Sequence, residues 1–185
     1  MKNGTMVAPS NGAKTTLTLE NKPSIQVRAD ATGQSLGQPR VYMSRLTIES
    51  ATGPQFIDIT DQVESLLARA GIQNGQALVY SQHTTAAIII NENEPLLIED
   101  MKNFLWKMAD PASLYQHNDF TIRTVNMCED ECDNAHSHLQ HLTLGCSVTM
   151  PIQDGRLTLG RWQRVFMLEL DRPRTRNVLI QFIGA

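Results

Sequence analysis

The stretch NAHSHLQHLTLGCSVTMPIQDGRLTLGRWQ, residues 134–163, is the part of this chain around which the rest is interpreted. Three histidines fall within its first eight residues, and an apolar run punctuated by glycines follows them. Asp133 or Asn134 is a good helix N-cap, and Gly145 is the kind of residue that follows a helix end. The pattern therefore predicts a short helix that carries all three histidines.

The faces of this helix determine which histidines can act together. His138 and His141 are three residues apart and share a face, whereas His136 points elsewhere. At most two of them can therefore serve one site directly. Taken singly, each is more often a hydrogen-bonded surface or core histidine than a ligand. The side chains expected to face the core are Leu139, Leu142 and Thr143.

Outward from this stretch, alternating and β-branched segments predict about seven strands. An Asp154-Gly155 pair marks a hairpin turn between two of them. One helix is expected to be capped by Thr60 or Asp61 and to end at Gly71. A second helix is expected over 95–108, with a core stripe of Leu97, Met101, Phe104 and Leu105. This order indicates an α+β fold, mainly an antiparallel β-sandwich with two or three inserted helices.

Length and composition limit the classes of function. The chain has 185 residues and a net charge of −3, which suits one domain and argues against a general nucleic-acid binder. Residues 1–38 are rich in small polar residues and are expected to be a flexible extension, dispensable for folding, before a domain at 39–185. No apolar stretch or leader pattern predicts a membrane partner, so the expected compartment is the cytoplasm.

The three cysteines are odd in number and fit reduced thiols better than a disulfide framework. Cys128, Cys132 and His136 lie at four-residue steps, so a continuous helix would align them as a zinc stripe. The acidic residues between them favour a solvated loop instead.

Several polar residues occupy positions that suit a site. His83 and Thr84 lie between two predicted strands, although a strand-end histidine also commonly caps backbone. Asn91 and Glu92 lie at a strand-to-helix junction, where a carboxylate can act as a base, bind metal or favour the helix N-terminus. His117 falls in a long irregular segment, and such segments are often functional.

Near the C-terminus, Arg172, Arg174 and Arg176 flank a predicted turn. Arginine matches phosphate oxygens with two parallel hydrogen bonds, so these residues are candidates for a phosphate clamp, although turn arginines commonly face solvent. Gly160 is better explained by a turn than by a nucleotide fingerprint, and Trp162 is most simply a core residue.

Together, several segments resemble one family. They are HTTAAIIINENEP at 83–95, the Asn134-x3-His138 pair, GCSVTMPIQDGRLTLGRWQ at 145–163 and ELDRPRTR at 169–176. This set, covering about residues 41–184, is similar to the YjbQ-type family of secondary thiamine-phosphate synthase enzymes. The resemblance implies an α+β sandwich that assembles as a homotrimer with sites near subunit interfaces. It also implies a transferase that joins a pyrimidine-methyl diphosphate to a thiazole phosphate and releases diphosphate.

The resemblance also implies roles for individual residues. Those expected to be catalytic are His83, Glu92 and His138. Those expected to bind a phosphorylated substrate are Thr84, Asn91, Asn134, Gly160, Trp162 and Gln163. Arg174, from the predicted phosphate clamp, is expected to bind the substrate with them. Arg161 and Arg172 stand where the family usually has smaller residues, which makes the substrate less certain than the fold.

A divalent metal, zinc or magnesium, is a further expectation. His83, His117 and His138 come from three separate elements, and three imidazoles with an open position are what a catalytic zinc prefers. The alternative is that these histidines bind phosphate or one another without metal. For the whole protein, the alternatives to a transferase are a trimeric metal- or small-molecule-binding protein without turnover, or an uncharacterised metal-dependent enzyme.

Overall fold

The computed structural model describes residues 37–185. The predicted extension at 1–38 therefore lies almost wholly outside the described residues, and its flexibility and dispensability stay predictions. Between residues 37 and 185 the chain forms eight strands, three α-helices and one short 3-10 turn at Gln116–Asn118.

The strands are β1 (Arg40–Glu49), β2 (Gln55–Asp58), β3 (Gly75–Ser81), β4 (Ala86–Glu92), β5 (Ser147–Gln153), β6 (Arg156–Leu157), β7 (Gln163–Glu169) and β8 (Thr175–Gly184). The helices are α1 (Thr60–Ala70), α2 (Pro95–Met108) and α3 (Ala135–Leu144). None of the helices in this part of the chain is long and apolar enough to cross a membrane.

The strands form two sheets in which every strand pair is antiparallel. The five-stranded sheet has the order β1-β8-β3-β5-β6, and the three-stranded sheet has the order β2-β7-β4. The prediction of an α+β fold with an antiparallel sandwich is confirmed, with eight strands rather than about seven.

Alternation along the strands places the core between the sheets. In β8, Val178, Ile180 and Phe182 are fully buried, while the residues between them are more accessible. This is the period-two pattern of a strand with one face on the core. In contrast, β7 is buried on both faces from Val165 to Glu169. Its Val165 and Met167 pack in one apolar cluster, and the alternate residues Phe166 and Leu168 pack in another.

Helix α1 follows its sequence pattern with one correction. It buries Val63, Leu66 and Leu67, and it ends at Gly71, whose φ of 65° suits glycine. The cap predicted at Thr60 or Asp61 is wrong. The Asp58 side chain accepts from the Thr60 backbone N–H at 3.0 Å and from its hydroxyl at 2.7 Å, so the carboxylate two residues earlier satisfies the free donor.

The buried face predicted for α3 is wrong, and the one predicted for α2 is correct for Leu105, and in part for Leu97 and Met101, but not for Phe104. Leu142 is 77% exposed and Leu139 is 43% exposed, whereas Ser137 and Gln140 are fully buried. On α2 only Leu105 is buried, and Phe104 is 63% exposed. Both helices therefore turn apolar side chains away from the core of their own chain.

Hydrogen bonds explain why α3 buries its polar face. The Ser137 hydroxyl donates to the Leu170 carbonyl at 2.5 Å, which ties the helix to the end of β7. The Gln140 amide donates to the Leu105 and Ala109 carbonyls at 3.0 and 3.3 Å, at the C-terminal end of α2. Buried polar groups are tolerated when they are paired in this way.

We expect Gln140→Met to lower the free energy of unfolding by about 1–2 kcal/mol, because a side chain of similar shape leaves the Ala109 carbonyl unpaired. The Leu105 carbonyl still accepts from the Ala109 backbone N–H at 3.1 Å. The gain from removing the unpaired Gln140 Oε1 keeps the loss moderate. Urea denaturation measures it, with Gln153→Met at an exposed position of β5 as the control. Equal stability of the two variants would contradict this role for Gln140.

Candidate functional site

The predicted site residues fall at the two ends of β4. His83 and Thr84 precede the strand, and Asn91 and Glu92 are its last two residues. Seven residues at about 3.3 Å per residue separate these ends by about 20 Å. One chain therefore presents two groups of candidate residues rather than one.

The first group surrounds the carboxylate of Asp171 and is called the Asp171 cluster; it consists of Cys132, Asn134, Asp171 and Arg174. Asp171 has a side chain only 5% exposed. Its carboxylate accepts from Asn134 Nδ2 at 3.4 Å and lies 3.7 Å from the Cys132 sulfur. Arg174 Nη2 forms an ion pair with it at 3.1 Å. A buried carboxylate is thus held by three different donors.

Two polar atoms of the Asp171 cluster have no partner among the described residues. They are the Arg174 Nε donor and the Asn134 Oδ1 acceptor, both of which are buried. A buried polar atom without a hydrogen bond costs about 1–3 kcal/mol, so such atoms mark places where a ligand, water or another chain is bound. The cluster therefore offers one donor and one acceptor to a polar ligand.

The three arginines of the predicted phosphate clamp have separate roles. Arg172 donates to the Asp130 carbonyl at 2.6 Å and forms an ion pair with its carboxylate. Arg176 is buried and paired with Glu169. Of the three, only Arg174 keeps a buried donor without a partner.

A buried ion pair between Glu169 and Arg176 lies next to the Asp171 cluster. Arg176 Nε donates to Glu169 Oε2 at 2.6 Å, and the side chains are 3% and 0% exposed. The other contacts of Glu169 are the Ser50 hydroxyl at 2.6 Å and the Asp171 backbone N–H at 2.9 Å. Sequence reasoning missed Glu169 and Asp171 as parts of a site. The available signal was the alternation of acids and arginines in ELDRPRTR.

His83 lies beside this ion pair, and one of its ring nitrogens already has a hydrogen-bond partner. Its Nε2 accepts from the Asn177 backbone N–H at 2.8 Å, so the neutral ring carries its proton on Nδ1. Burial, then the positive charge of Arg176, lowers the pKa of His83. In this arrangement Nε2 is not free to bind metal or take a proton. Thr84 beside it is exposed and makes no side-chain hydrogen bond with the described residues.

His117 and His138 form a pair of histidines near the Asp171 cluster. Their ring centroids are 4.9 Å apart and their planes meet at 70°. Burial, then the neighbouring His117, lowers the pKa of His138. His117 Nε2 is buried and has no partner in this part of the structure. His136 contacts the Ser137 hydroxyl at 3.1 Å, and burial lowers its pKa as well.

Within residues 37–185 of one chain, no three His, Cys, Asp or Glu side chains are arranged to hold an ion. His117 and His138 are paired, whereas the Nε2 of His83 is already bonded to Asn177. The residues of a single chain thus do not form the three-imidazole site, which stays a prediction. The alternative zinc stripe fails because α3 begins only at Ala135, beyond both of its cysteines.

The second group, called the Trp162 cleft, lies at the other end of β4 and has a volume of about 400 Å³. Its lining residues are Asp58, Glu92, Asn93, Glu94, Arg161, Trp162 and Arg164. Trp162 is 59% exposed, so its predicted place in the core is wrong. The reason is that β7 starts only at Gln163, which leaves the tryptophan in the preceding turn.

Asp58 fixes one wall of this cleft. Its Oδ2 accepts from Arg164 Nε at 2.7 Å and from Asn93 Nδ2 at 3.0 Å. Burial alone would raise the pKa of Asp58, but hydrogen bonds from Arg164 and Thr60 outweigh it and lower the pKa. The carboxylate is therefore ionised and fully used by the protein.

Some of the remaining predicted residues of this group already have hydrogen-bond partners within the protein. The Gly160 N–H donates to Gln163 Oε1 at 2.8 Å, so it is not available to a ligand. Asn91 accepts from the Glu92 N–H at 2.9 Å and contacts the Met101 sulfur at 3.2 Å. The Glu92 carboxylate, in contrast, makes no hydrogen bond or ion pair with the described residues.

The lowered pKa of His83 predicts a pH dependence of stability. Since the folded pKa lies below the ordinary 6.5, the unfolded chain takes up the proton first as the pH falls. The stabilising contribution is present above about pH 6.5 and is lost as the pH falls through the folded pKa. We expect His83→Gln, which does not titrate, to lose less unfolding free energy than the wild type between about pH 8 and pH 5. Equal losses in chemical denaturation would contradict this.

Known proteins match this chain over most of the described domain. The profile of the family described as UPF0047 protein YjbQ-like matches residues 44–185. A UPF0047 protein of Archaeoglobus fulgidus is 41% identical over 137 residues, which are 74% of this chain and 97% of that protein. The UPF0047 protein YugU of Bacillus subtilis is 34% identical over 142 residues, 77% of this chain and 99% of that protein.

Solved structures agree with this match. A YbjQ-like protein of unknown function from Sulfolobus solfataricus P2 superposes with a TM-score of 0.71 at 35% identity, over 80% of this chain and 99% of that one. A hypothetical protein from Aeropyrum pernix K1 gives a TM-score of 0.69 at 36% identity, over 78% of this chain and 99% of that one. Both sequence and structure lead to one conclusion: the chain belongs to the YjbQ-like UPF0047 family.

Proposed function

We propose that this protein is a thiamine-phosphate synthase-like transferase that acts on phosphorylated small molecules, with this synthesis as a secondary activity. The observation that carries the proposal is the unpartnered, buried Nε of Arg174 in the Asp171 cluster. A guanidinium with a free donor, already oriented by an ion pair to Asp171, is prepared to bind a phosphate oxygen.

The reaction asks little acid–base chemistry of the protein. The bond between the pyrimidine methylene carbon and the diphosphate oxygen breaks, and the thiazole nitrogen forms the new bond to that carbon. Diphosphate leaves with the electron pair, so negative charge must be stabilised on its oxygens. Arg174 provides a hydrogen-bond donor for this charge, and the partly buried surroundings strengthen the interaction. A divalent metal, if the assembled protein binds one, would supply further charge.

We further propose that the protein is a homotrimer in which the two groups of site residues from neighbouring subunits complete each other. The support is that one chain leaves large apolar side chains uncovered on α2 and α3, and exposed apolar surface of this kind is typical of interfaces. These side chains are Leu96, Phe104, Trp106, Met108, Leu139 and Leu142. A second argument is the separation of about 20 Å along β4, which a single chain cannot close.

Two other functions each have an observation in their favour. A trimeric binding protein without turnover is favoured by the occupied Nε2 of His83, since that atom is not free for catalysis. An uncharacterised metal-dependent enzyme is favoured by the His117–His138 pair. Two neighbouring imidazoles would supply part of the ligand set of a metal ion, and other residues would have to complete it. Three unpaired cysteines suit the reducing cytoplasm that the sequence predicts.

We expect light scattering on the size-separated wild type to give the mass of a trimer at micromolar concentration. Leu142→Glu should shift the protein toward monomer, because it places a charge on the apolar face of α3. Gln62→Glu, at an exposed position of α1, is the matched control and should stay trimeric. A monomeric wild type would contradict the assembly.

We expect Arg174→Ala to lower kcat/KM for thiamine-phosphate formation by about 10²-fold to 10³-fold, because one donor to the leaving group is lost. Arg174→Lys keeps the charge without the planar fork and should recover only part of the activity. Arg156→Ala, at an exposed position of β6, is the control.

Turnover by purified enzyme and growth of a thiamine auxotroph measure the effect. If the wild type shows no turnover, whichever substrate is added first, the transferase proposal is contradicted and the binding protein is favoured. Wild-type activity in Arg174→Ala would instead remove the Asp171 cluster from the reaction.

A further inference from the structure

A loop of five residues with a cysteine at each end borders the Asp171 cluster and is called the cysteine loop (residues 128–132). Cys128 is exposed and Cys132 is partly buried, and both are free thiols. Residues 129 and 130 form a turn between them. One end of the loop thus presents a thiol to solvent, and the other end places a thiol in the cluster.

The Cys132 thiol is a hydrogen-bonding member of the cluster. Its sulfur lies 3.7 and 4.0 Å from the two Asp171 carboxylate oxygens and accepts from Arg174 Nη2 at 3.9 Å. Burial, then the negative charge of Asp171, raises the pKa of the Cys132 thiol, so the thiol keeps its proton at neutral pH. A protonated sulfur can donate to the carboxylate and accept from the guanidinium at the same time. The thiol therefore neutralises part of the Asp171 charge.

The cysteine loop is anchored at its turn and at its buried end. Residues 124–130 are all exposed. The Cys128 backbone N–H donates to the Glu131 carboxylate at 3.1 Å, which holds the turn closed. Asp130 is tied to Arg172, which donates to its carbonyl at 2.6 Å and pairs with its carboxylate. Cys128 is thus held close to the cluster and is accessible to reagents in solution.

The turn brings the two cysteines within reach of each other. The Cα atoms at the ends of a four-residue turn lie within about 7 Å, and Cys132 directly follows the turn at 128–131. A disulfide needs Cα atoms about 4.4–6.8 Å apart. Because the Cys132 sulfur faces Asp171 in the reduced protein, a bond between the two sulfurs requires Cys132 to leave the cluster or Cys128 to fold in toward it. Either movement replaces the thiol that Asp171 contacts.

We propose that Cys128 and Cys132 form a peroxide-sensitive modification site whose oxidation to a disulfide alters the Asp171 cluster. The exposed Cys128 sulfur attacks one peroxide oxygen, the O–O bond breaks, and the released hydroxide takes the proton of that thiol and leaves as water. The Cys132 sulfur then attacks the sulfenic acid on Cys128: the S–S bond forms, the S–O bond breaks, and hydroxide leaves as water with the Cys132 proton. Two thiols and one hydrogen peroxide give one disulfide and two waters, and the sulfurs supply the two electrons.

Oxidation changes the charge balance of the Asp171 cluster. A disulfide sulfur carries no proton, so Cys132 no longer donates to Asp171, and the carboxylate keeps two of its three donors, Asn134 and Arg174. The less neutralised carboxylate then holds Arg174 more closely and repels an anion beside it. We expect oxidation to weaken diphosphate binding on the order of tenfold. This effect on anions rests on the proposed role of Arg174, whereas the disulfide itself does not.

Thiol counting tests the modification. The reduced full chain is treated with equimolar hydrogen peroxide, the peroxide is removed with catalase, and thiols are titrated after denaturation. We expect the wild type to lose two of its three thiols and the mass of two hydrogen atoms per chain, to run as a single chain on a non-reducing gel, and to recover with dithiothreitol. Cys146→Ser, which keeps both cysteines of the loop, should also lose two thiols. Cys128→Ser should keep both of its remaining thiols.

Two measurements test the link to the cluster. Calorimetry with diphosphate compares the reduced and oxidised wild type, and Cys128→Ser should bind like the reduced wild type before and after peroxide. The Arg174 Nε–H signal in a proton–nitrogen correlation spectrum, assigned by its loss in Arg174→Lys, should move when the wild type is oxidised but not when Cys128→Ser is treated. The second measurement does not require that an anion binds.

The proposal is overturned if peroxide leaves the wild-type thiols free, adds oxygen to Cys128 without loss of the Cys132 thiol, or links two chains. It is also overturned if the disulfide forms but neither the Arg174 signal nor the diphosphate affinity changes. If the reduced wild type binds no diphosphate while the Arg174 signal still moves on oxidation, the proposed phosphate-binding role of Arg174 is contradicted and the modification site is supported.

Discussion

The buried ion pair between Glu169 and Arg176 is the interaction on which the rest of the structure depends. Glu169 ends β7 of the three-stranded sheet, and Arg176 is near the start of β8 of the five-stranded sheet. The Glu169 carboxylate accepts four hydrogen bonds: two from Arg176, one from the Ser50 hydroxyl and one from the Asp171 backbone N–H. Removing one partner of such a pair leaves an uncompensated buried charge, at a cost of about 3–5 kcal/mol. The sandwich is thus tied together at the end where the Asp171 cluster lies.

This arrangement separates the residues that hold the site from those that can bind a ligand. Arg176 reaches the Thr85 hydroxyl at 3.1 Å, just before β4, and its charge helps to keep His83 neutral. Arg174, two residues earlier, forms an ion pair with Asp171, contacts the Cys132 sulfur and keeps a free donor. Two arginines with the same chemistry therefore act differently because one is enclosed by Glu169 and the other is half-exposed.

The sequence predicts the sheets well because their pattern is local. Alternation along β1 and β8, the turn at Asp154-Gly155 and the glycine after α1 each act within a few residues. The buried faces of α2 and α3 were not predictable in this way. Gln140 is buried because carbonyls of α2, about 30 residues away in the sequence, come within its reach. Periodicity gives the faces of a helix but not the identity of what covers each face.

For the candidate site, too, the sequence identified residues but not their positions in space. The family motifs named the residues at both ends of β4, but they carried no information on distance. Stagger within an antiparallel sheet cannot shorten a strand, so the groups at Glu92 and at His83 stay apart in any state that keeps β4 paired with β7.

The exposed apolar side chains of α2 and α3 are unfavourable in water, and the core of one chain does not cover them. A second chain that covers them would remove this unfavourable exposure. The same contact could then bring a Trp162 cleft toward an Asp171 cluster, so that assembly and completion of the site would follow from one burial of apolar surface.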